Sequence, residues 1–171
     1  HDMIRYQADM IPTMARYANF GTVRSKGVEL DIKGDAAPIL YLYANATFQD
    51  LRDHREHENG SEAANPTYNK RMPNIPYILA NGGLEFHKAN LFGGENQNSR
   101  FLVDASYIHE YFYDFEMSKY QDRKIPSSFT IDAGLEHSFK DDSFILSFKV
   151  KNLTDRTVYS ELNRPLPGRN F

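Results

Sequence analysis

The chain has no cysteine and no tryptophan among its 171 residues. Without thiols, neither a disulfide framework nor a thiolate metal site can form. No apolar run approaches the roughly 20 residues that a membrane-spanning helix needs. Net charge is -3 and basic residues form no block, so nucleic acid has no electrostatic foothold. The chain opens at His1 with no initiator methionine, charged leader or short apolar leader, which reads as an internal piece of a longer protein. Helical periodicity is missing as well. Length alone would suit one domain.

What is present is a period of two. Phe129, Ile131, Ala133 and Leu135 alternate with Thr130, Asp132, Gly134 and Glu136. After Lys140, Asp141 and Asp142 the pattern resumes, with Phe144, Leu146, Phe148 and Val150 against Ser143, Ser147, Lys149 and Lys151. Such alternation marks strands with one apolar and one wet face, joined here by a polar turn. The same signal recurs upstream. Residues 17–33 set Val28, Leu30 and Ile32 against Glu29, Asp31 and Lys33, before a turn expected at Gly34, Asp35 and Ala36. Residues 39–50, 76–87 and 100–113 carry the remaining strand patterns.

The connections alternate in length. Those at 34–38, 91–99 and 140–142 are short; those at 51–75, 114–127 and 153–168 are long and polar. A soluble β-sandwich has no reason to shorten every second loop, whereas an outer-membrane barrel has tight turns at one end and long loops at the other. The strands run near the roughly 9–11 residues of a membrane strand rather than the globular figure of about 5–6. Their apolar faces carry almost no lysine or arginine, either of which would cost about 2–4 kcal/mol at mid-bilayer. Mean hydropathy of -0.62 is compatible with strands that are half polar. Aromatic residues, 11 tyrosines and 12 phenylalanines, gather at strand ends such as Tyr111, Phe112, Tyr113, Phe115, Phe139 and Phe144, as in an interfacial girdle. Glycines inside strands (Gly27, Gly82 and Gly134) suggest bends or bulges in a curved wall. The fold class expected is all-β, an antiparallel up-and-down transmembrane barrel wall; the alternative is a secreted or surface β-sandwich module that binds glycan or protein.

Several phrases go beyond pattern. Asn19, Gly21, Gly27 and Glu29 fall in an N-x-G-x-x-x-x-x-G-x-E strand. Further along come Pro73-Asn74-Ile75-Pro76-Tyr77 with Ala80-Asn81-Gly82-Gly83-Leu84, then Ile125-Pro126 and Asp132-Ala133-Gly134-Leu135. Val150-Lys151-Asn152-Leu153-Thr154-Asp155 and Pro167-Gly168-Arg169-Asn170-Phe171 complete the series. In order and spacing, over nearly the whole chain, this resembles the C-terminal barrel of TonB-dependent outer-membrane receptors. The resemblance implies about six full strands and two partial ones of a roughly 22-stranded barrel. It places residues 1–171 in the C-terminal part of that barrel, without the plug domain and without the last strand. It also implies energy-coupled uptake of a siderophore, haem, cobalamin or glycan in the outer membrane of a Gram-negative bacterium. The partners would be TonB, reached through the plug, membrane lipid and the ligand itself. No cofactor is expected.

Catalytic constellations are not legible. Ser106, Ser127 and Ser128 have no His/Asp partners at a recognisable spacing, and Asp141 with Asp142 reads as turn chemistry, so the chain is not expected to be an enzyme. His54 and His57 stand three apart among carboxylates, and imidazole is a common metal ligand. No second cluster fixes a coordination geometry, so no metal site is expected there. Long loops carry binding function more often than walls. The candidate ligand contacts are therefore His54, His57, Tyr68 and Arg71 in one loop, and Tyr113 and Tyr120 in the next.

Overall fold

The computed structural model describes residues 2–7, 16–58, 62–114 and 123–171, with the backbone alone for 2–7 and 16–21. The elements are β1 (Asp2–Gln7), β2 (Arg16–Ala37), β3 (Leu40–Asp53), β4 (Ile78–Ala89), β5 (Asn98–Ile108), β6 (Tyr111–Phe112), β7 (Lys124–Ile125), β8 (Ser128–Phe139), β9 (Phe144–Val150), β10 (Tyr159–Glu161) and β11 (Arg164–Pro165). No helix occurs among the described residues. Seven strands form one antiparallel sheet in the order β1-β2-β3-β4-β5-β8-β9. Two small hairpins, β6 with β7 and β10 with β11, stand apart from it. The sheet is an up-and-down partial wall, open at both edges among the described residues.

Register carries the alternation across the wall. Leu30 opposes Ala46, Ala46 opposes Ala80, Ala80 opposes Tyr107 and Tyr107 opposes Phe129. Two residues along each strand, Ile32, Ala44, Gly82, Ala105 and Ile131 make the next row. Leu42, Leu84, Val103, Ala133 and Val150 make the one after. Directly opposed residues share a face, so six strands present one continuous apolar surface with no Asp, Glu, Lys or Arg in these rows. The other surface is polar, as in the row Asp31, Asn45, Asn81, Ser106 and Thr130. The apolar surface is bare: Ile32 is 72% exposed, Leu146 62% and Phe148 58%. Among the described residues no second layer covers it, so the arrangement is not a sandwich.

Buried apolar side chains are correspondingly few: Met72, Ile125 and Val150. Met72 packs with Val23, Leu51 and Ile75 where the β3–β4 connection returns against β3. The small core of the described molecule therefore sits at the long-loop end, not between layers.

Connection lengths alternate as expected, with two differences. The first hairpin turns at Pro38 and Ile39, not at 34–36: β2 continues through Gly34 opposite Leu42 and Asp35 opposite Tyr41, then bulges before Ala37 pairs Leu40. Gly34 and Asp35 have turn chemistry, but a backbone ladder needs no apolar side chain to continue. The interior glycines are not bulges either, since the ladder passes Gly27, Gly82 and Gly134 without a register shift. The β8–β9 turn is as read: Lys140, Asp141 and Asp142 take left-handed φ of 50°, 54° and 65°, a conformation that Asp tolerates through local hydrogen bonding. At that end Phe139 and Phe144 meet at 5.8 Å, with His137 4.2 Å from Phe139 and 5.3 Å from Phe92.

Candidate functional site

The long-loop end is organised around one carboxylate. Asp53, the tip of β3, lies five residues past the last apolar row at Phe48 and has no exposed surface. Its oxygens accept hydrogen bonds from Arg55 Nε and a terminal Arg55 nitrogen (3.1 and 2.8 Å), from Asn65 Nδ2 (2.9 Å) and from the Thr67 hydroxyl (2.5 Å). The Arg55 amide adds a fifth at 3.1 Å. Burial opposes the charge, but these donors outweigh it and take the Asp53 carboxyl down to about 2. The backbone completes the fold-back: Asp53 donates to the Lys70 carbonyl, Asn69 to the Asp53 carbonyl and Met72 to the Leu51 carbonyl. Residues 69–72 thus return along β3 as an irregular extra strand, with Arg71 bridged to Arg52.

That return builds a cleft of about 220 Å³ between the end of β3, the segment from Arg71 to Tyr77, and the segment that carries His109 to Phe112 with Lys124. The Arg71 guanidinium lies 4.5 Å over the Tyr77 ring and 3.3 Å from Asp50. A cation on a tyrosine face, tied to a carboxylate, is held in orientation rather than left to wave. His109 stands edge-on to Tyr77 at 6.3 Å, and its Nδ1 is 3.0 Å from the Tyr107 hydroxyl. Lys124 donates to Glu110 at 2.9 Å, and this bond holds the Glu110 carboxyl below its usual value. Burial pushes the neighbouring Tyr111 hydroxyl upward. Fixed cations, a carboxylate pair, an imidazole and aromatic faces together suit a polar, multiply hydrogen-bonding ligand. They do not assemble a nucleophile with a base.

The six residues read as ligand contacts are divided by the structure. His54 and Tyr68 come together, stacked at 5.8 Å on the exposed side of the loop. His57 sits in an isolated bridge to Ala64, and no group of three or more potential metal ligands occurs among the described residues. Arg71 alone of the five that are described lines the cleft. Tyr113 carries the Arg123 guanidinium 5.0 Å above its ring, and Arg123 pairs with Asp114 at 2.8 Å. Tyr120 lies outside the described residues, as does Phe115. Sequence reading missed Asp50, Tyr77, His109, Glu110 and Lys124 in the cleft. Adjacent His109 and Glu110 at a strand end were the available signal; the rest is brought in by folding.

A second concavity, about 280 Å³, lies on the polar face of the wall. The Tyr43 hydroxyl donates to Asp104 at 2.6 Å, Asn81 to Asn45 at 3.1 Å and Ser106 to Asn81 at 2.8 Å. Tyr43 reaches Asp104 across Gly83, where a Cβ would stand 2.6 Å from the tyrosine ring and 2.7 Å from the carboxylate. Only glycine leaves that crossing open.

Residues 1–153 match the protein family described as "TonB dependent receptor-like, beta-barrel". No curated protein matches the chain. Among solved structures, it is similar to BauA, the ferric preacinetobactin receptor of Acinetobacter baumannii, with TM-score 0.65 and 13% identity over 98% of this chain and 24% of that one. It is equally similar in fold to FyuA, the ferric yersiniabactin uptake receptor of Yersinia pestis, with TM-score 0.65 and 18% identity over 90% of this chain and 22% of that one. The chain thus spans about a quarter of the length of these structures, and at such identities the likeness speaks to fold.

Proposed function

The chain belongs to the TonB-dependent receptor β-barrel family, and on that premise we propose that it supplies part of the wall and two ligand-facing loops of an energy-coupled importer in a Gram-negative outer membrane. One observation carries this reading: a bare apolar surface six strands wide, backed by a polar one. In water that surface would be an aggregation liability. Against hydrocarbon it is the required exterior of a barrel, and the polar face lines a wet interior. The short turns then lie on the periplasmic side and the long connections outside.

The ligand is taken at the long-loop end. Arg71, oriented by Asp50 and Tyr77, is its principal contact, with His109 and Lys124 beside it and Tyr113 and Tyr120 on the neighbouring loop. His54, His57 and Tyr68 form an outer contact surface. The two similar structures are named as receptors for ferric compounds, which favours a ferric siderophore over haem, cobalamin or glycan. TonB acts through a plug domain elsewhere in the protein, and the wall performs no chemistry.

The full-length parent protein, expressed in a Gram-negative host, tests the reading. It fractionates with the outer membrane, needs detergent for extraction and takes up radiolabelled iron only in a TonB-positive strain. A parent protein that stays soluble and monomeric without detergent contradicts the receptor reading. Uptake that is unchanged in a TonB-negative strain contradicts the coupling.

A further inference from the structure

The cleft has an apolar neighbour. A further concavity of about 190 Å³ lies where the β10–β11 hairpin meets β7, lined by Ile125, Pro126, Tyr159 and Leu162, with Lys124 and Glu161 as charged members. Ile125 is buried, and Tyr159 and Leu162 are half-buried. Leu162 stands out by its position. Glu161 pairs with Arg164, so Leu162 and Asn163 are the two residues of a tight hairpin turn, and Asn163 takes a left-handed φ of 59°. Such turns are ordinarily built from polar residues and glycine. A leucine placed there gains nothing for the turn, but it completes the apolar lining opposite Ile125 and Pro126.

Two links join this concavity to the cleft. Lys124 lines both. Tyr111 lines the cleft, and its hydroxyl donates to the Ser160 carbonyl at 3.4 Å, between Tyr159 and Glu161 of the neighbour. Size and chemistry are complementary as well. At about 220 Å³ and 190 Å³ each cavity falls short of the roughly 300–1,000 Å³ of a small-molecule site, whereas the two together reach that range. One supplies cations, a carboxylate pair and an imidazole; the other supplies aliphatic and aromatic carbon. We propose that the β7–β10 concavity is an apolar subsite for an aromatic ring carried by the ligand whose polar end lies in the cleft. An apolar cavity of about 150 Å³ holds one benzene ring, so the space here suits a single ring. The subsite rests on the cleft as the ligand site and narrows its substrate class to amphipathic, aryl-bearing ligands.

The test uses the full-length receptor purified in detergent and two probes with the same metal-binding head, ferric acetohydroxamate and ferric benzohydroxamate, each made with radiolabelled iron. They differ by methyl against phenyl. Partial burial of the ring makes the wild type bind the phenyl probe about tenfold more tightly than the methyl one. Leu162→Ser removes apolar lining and Leu162→Trp fills the space. Both bring the two affinities to near equality while the methyl probe still binds as in the wild type, which shows that the fold survives. Arg71→Gln weakens both probes alike and leaves their ratio unchanged. Equal affinity for the two probes in the wild type, or a phenyl preference that survives in both Leu162 variants, overturns the subsite. Undiminished binding of both probes by Arg71→Gln contradicts the cleft as the polar site, a separate failure that the Leu162 variants do not produce.

Discussion

The wall and the β3–β4 connection are held together by opposite means. Across the wall, stability comes from ladder hydrogen bonds and a uniform apolar face, and almost nothing is buried within the described chain. In the connection, a fully buried carboxylate gathers five donors, and the Met72 cluster supplies a small core of its own. A surface that faces hydrocarbon needs no interior, because the membrane covers it. A loop that stands in water must bring its own interior to hold a shape, and here that interior holds the wall of the cleft.

The contrast can be broken at its strongest point first. Asp53→Ala leaves Arg55, Asn65 and Thr67 without their common acceptor, at a cost of roughly 3–5 kcal/mol to local order. Proteolysis of intact cells should then cut at Lys70 or Arg71 while the barrel keeps its resistance to unfolding in detergent. Next comes the wall: Leu30→Arg on the bare face should lower barrel stability by about 2–4 kcal/mol in a denaturant titration, whereas Asp31→Asn on the polar face should change little. Gly83→Ala drives a methyl into the Tyr43–Asp104 crossing and should cost about 1–3 kcal/mol by the same titration.

Acid sharpens the comparison further. Asp53 has its folded value depressed to about 2, so its stabilisation is complete above the ordinary carboxylate range and is lost as pH falls through that range toward 2. Loop proteolysis should rise over that interval. The smallest effect belongs to Lys124→Gln, which removes an exposed pair with Glu110 and should shift stability by less than about 1 kcal/mol, read by the midpoint of the same unfolding curve.

The two regions also differ in what a sequence reveals. The wall is legible because period two survives from one residue to the next: Phe129 to Glu136 and Phe144 to Val150 declare their faces without any knowledge of partners. The turn at Pro38 and Ile39 escaped because Gly34 and Asp35 imitate one, while the ladder that overrides them is set by pairing with β3. The cleft was hardly legible at all. Asp53, Asn65 and Thr67 are polar residues in a polar stretch until folding bends 12 and 14 residues of chain back onto one carboxylate. Arg24, Arg52 and Arg71 likewise look like scattered charges, and only strand register sets them in a row. Among the expected contacts Arg71 shares the cleft with residues from a loop read separately, whereas His54 and His57 were neighbours in sequence and are not partners in space.

The most direct test of the lipid-facing wall is a nitroxide scan. Single cysteines replace residues 28 to 33 in the full-length receptor, reconstituted in lipid vesicles, and each label is probed for collision with oxygen and with a water-soluble nickel complex. The account predicts a strict alternation, with labels at Val28, Leu30 and Ile32 favouring oxygen and those at Glu29, Asp31 and Lys33 favouring nickel. Equal access at all six positions, or shielding of the first three from both reagents, would contradict it.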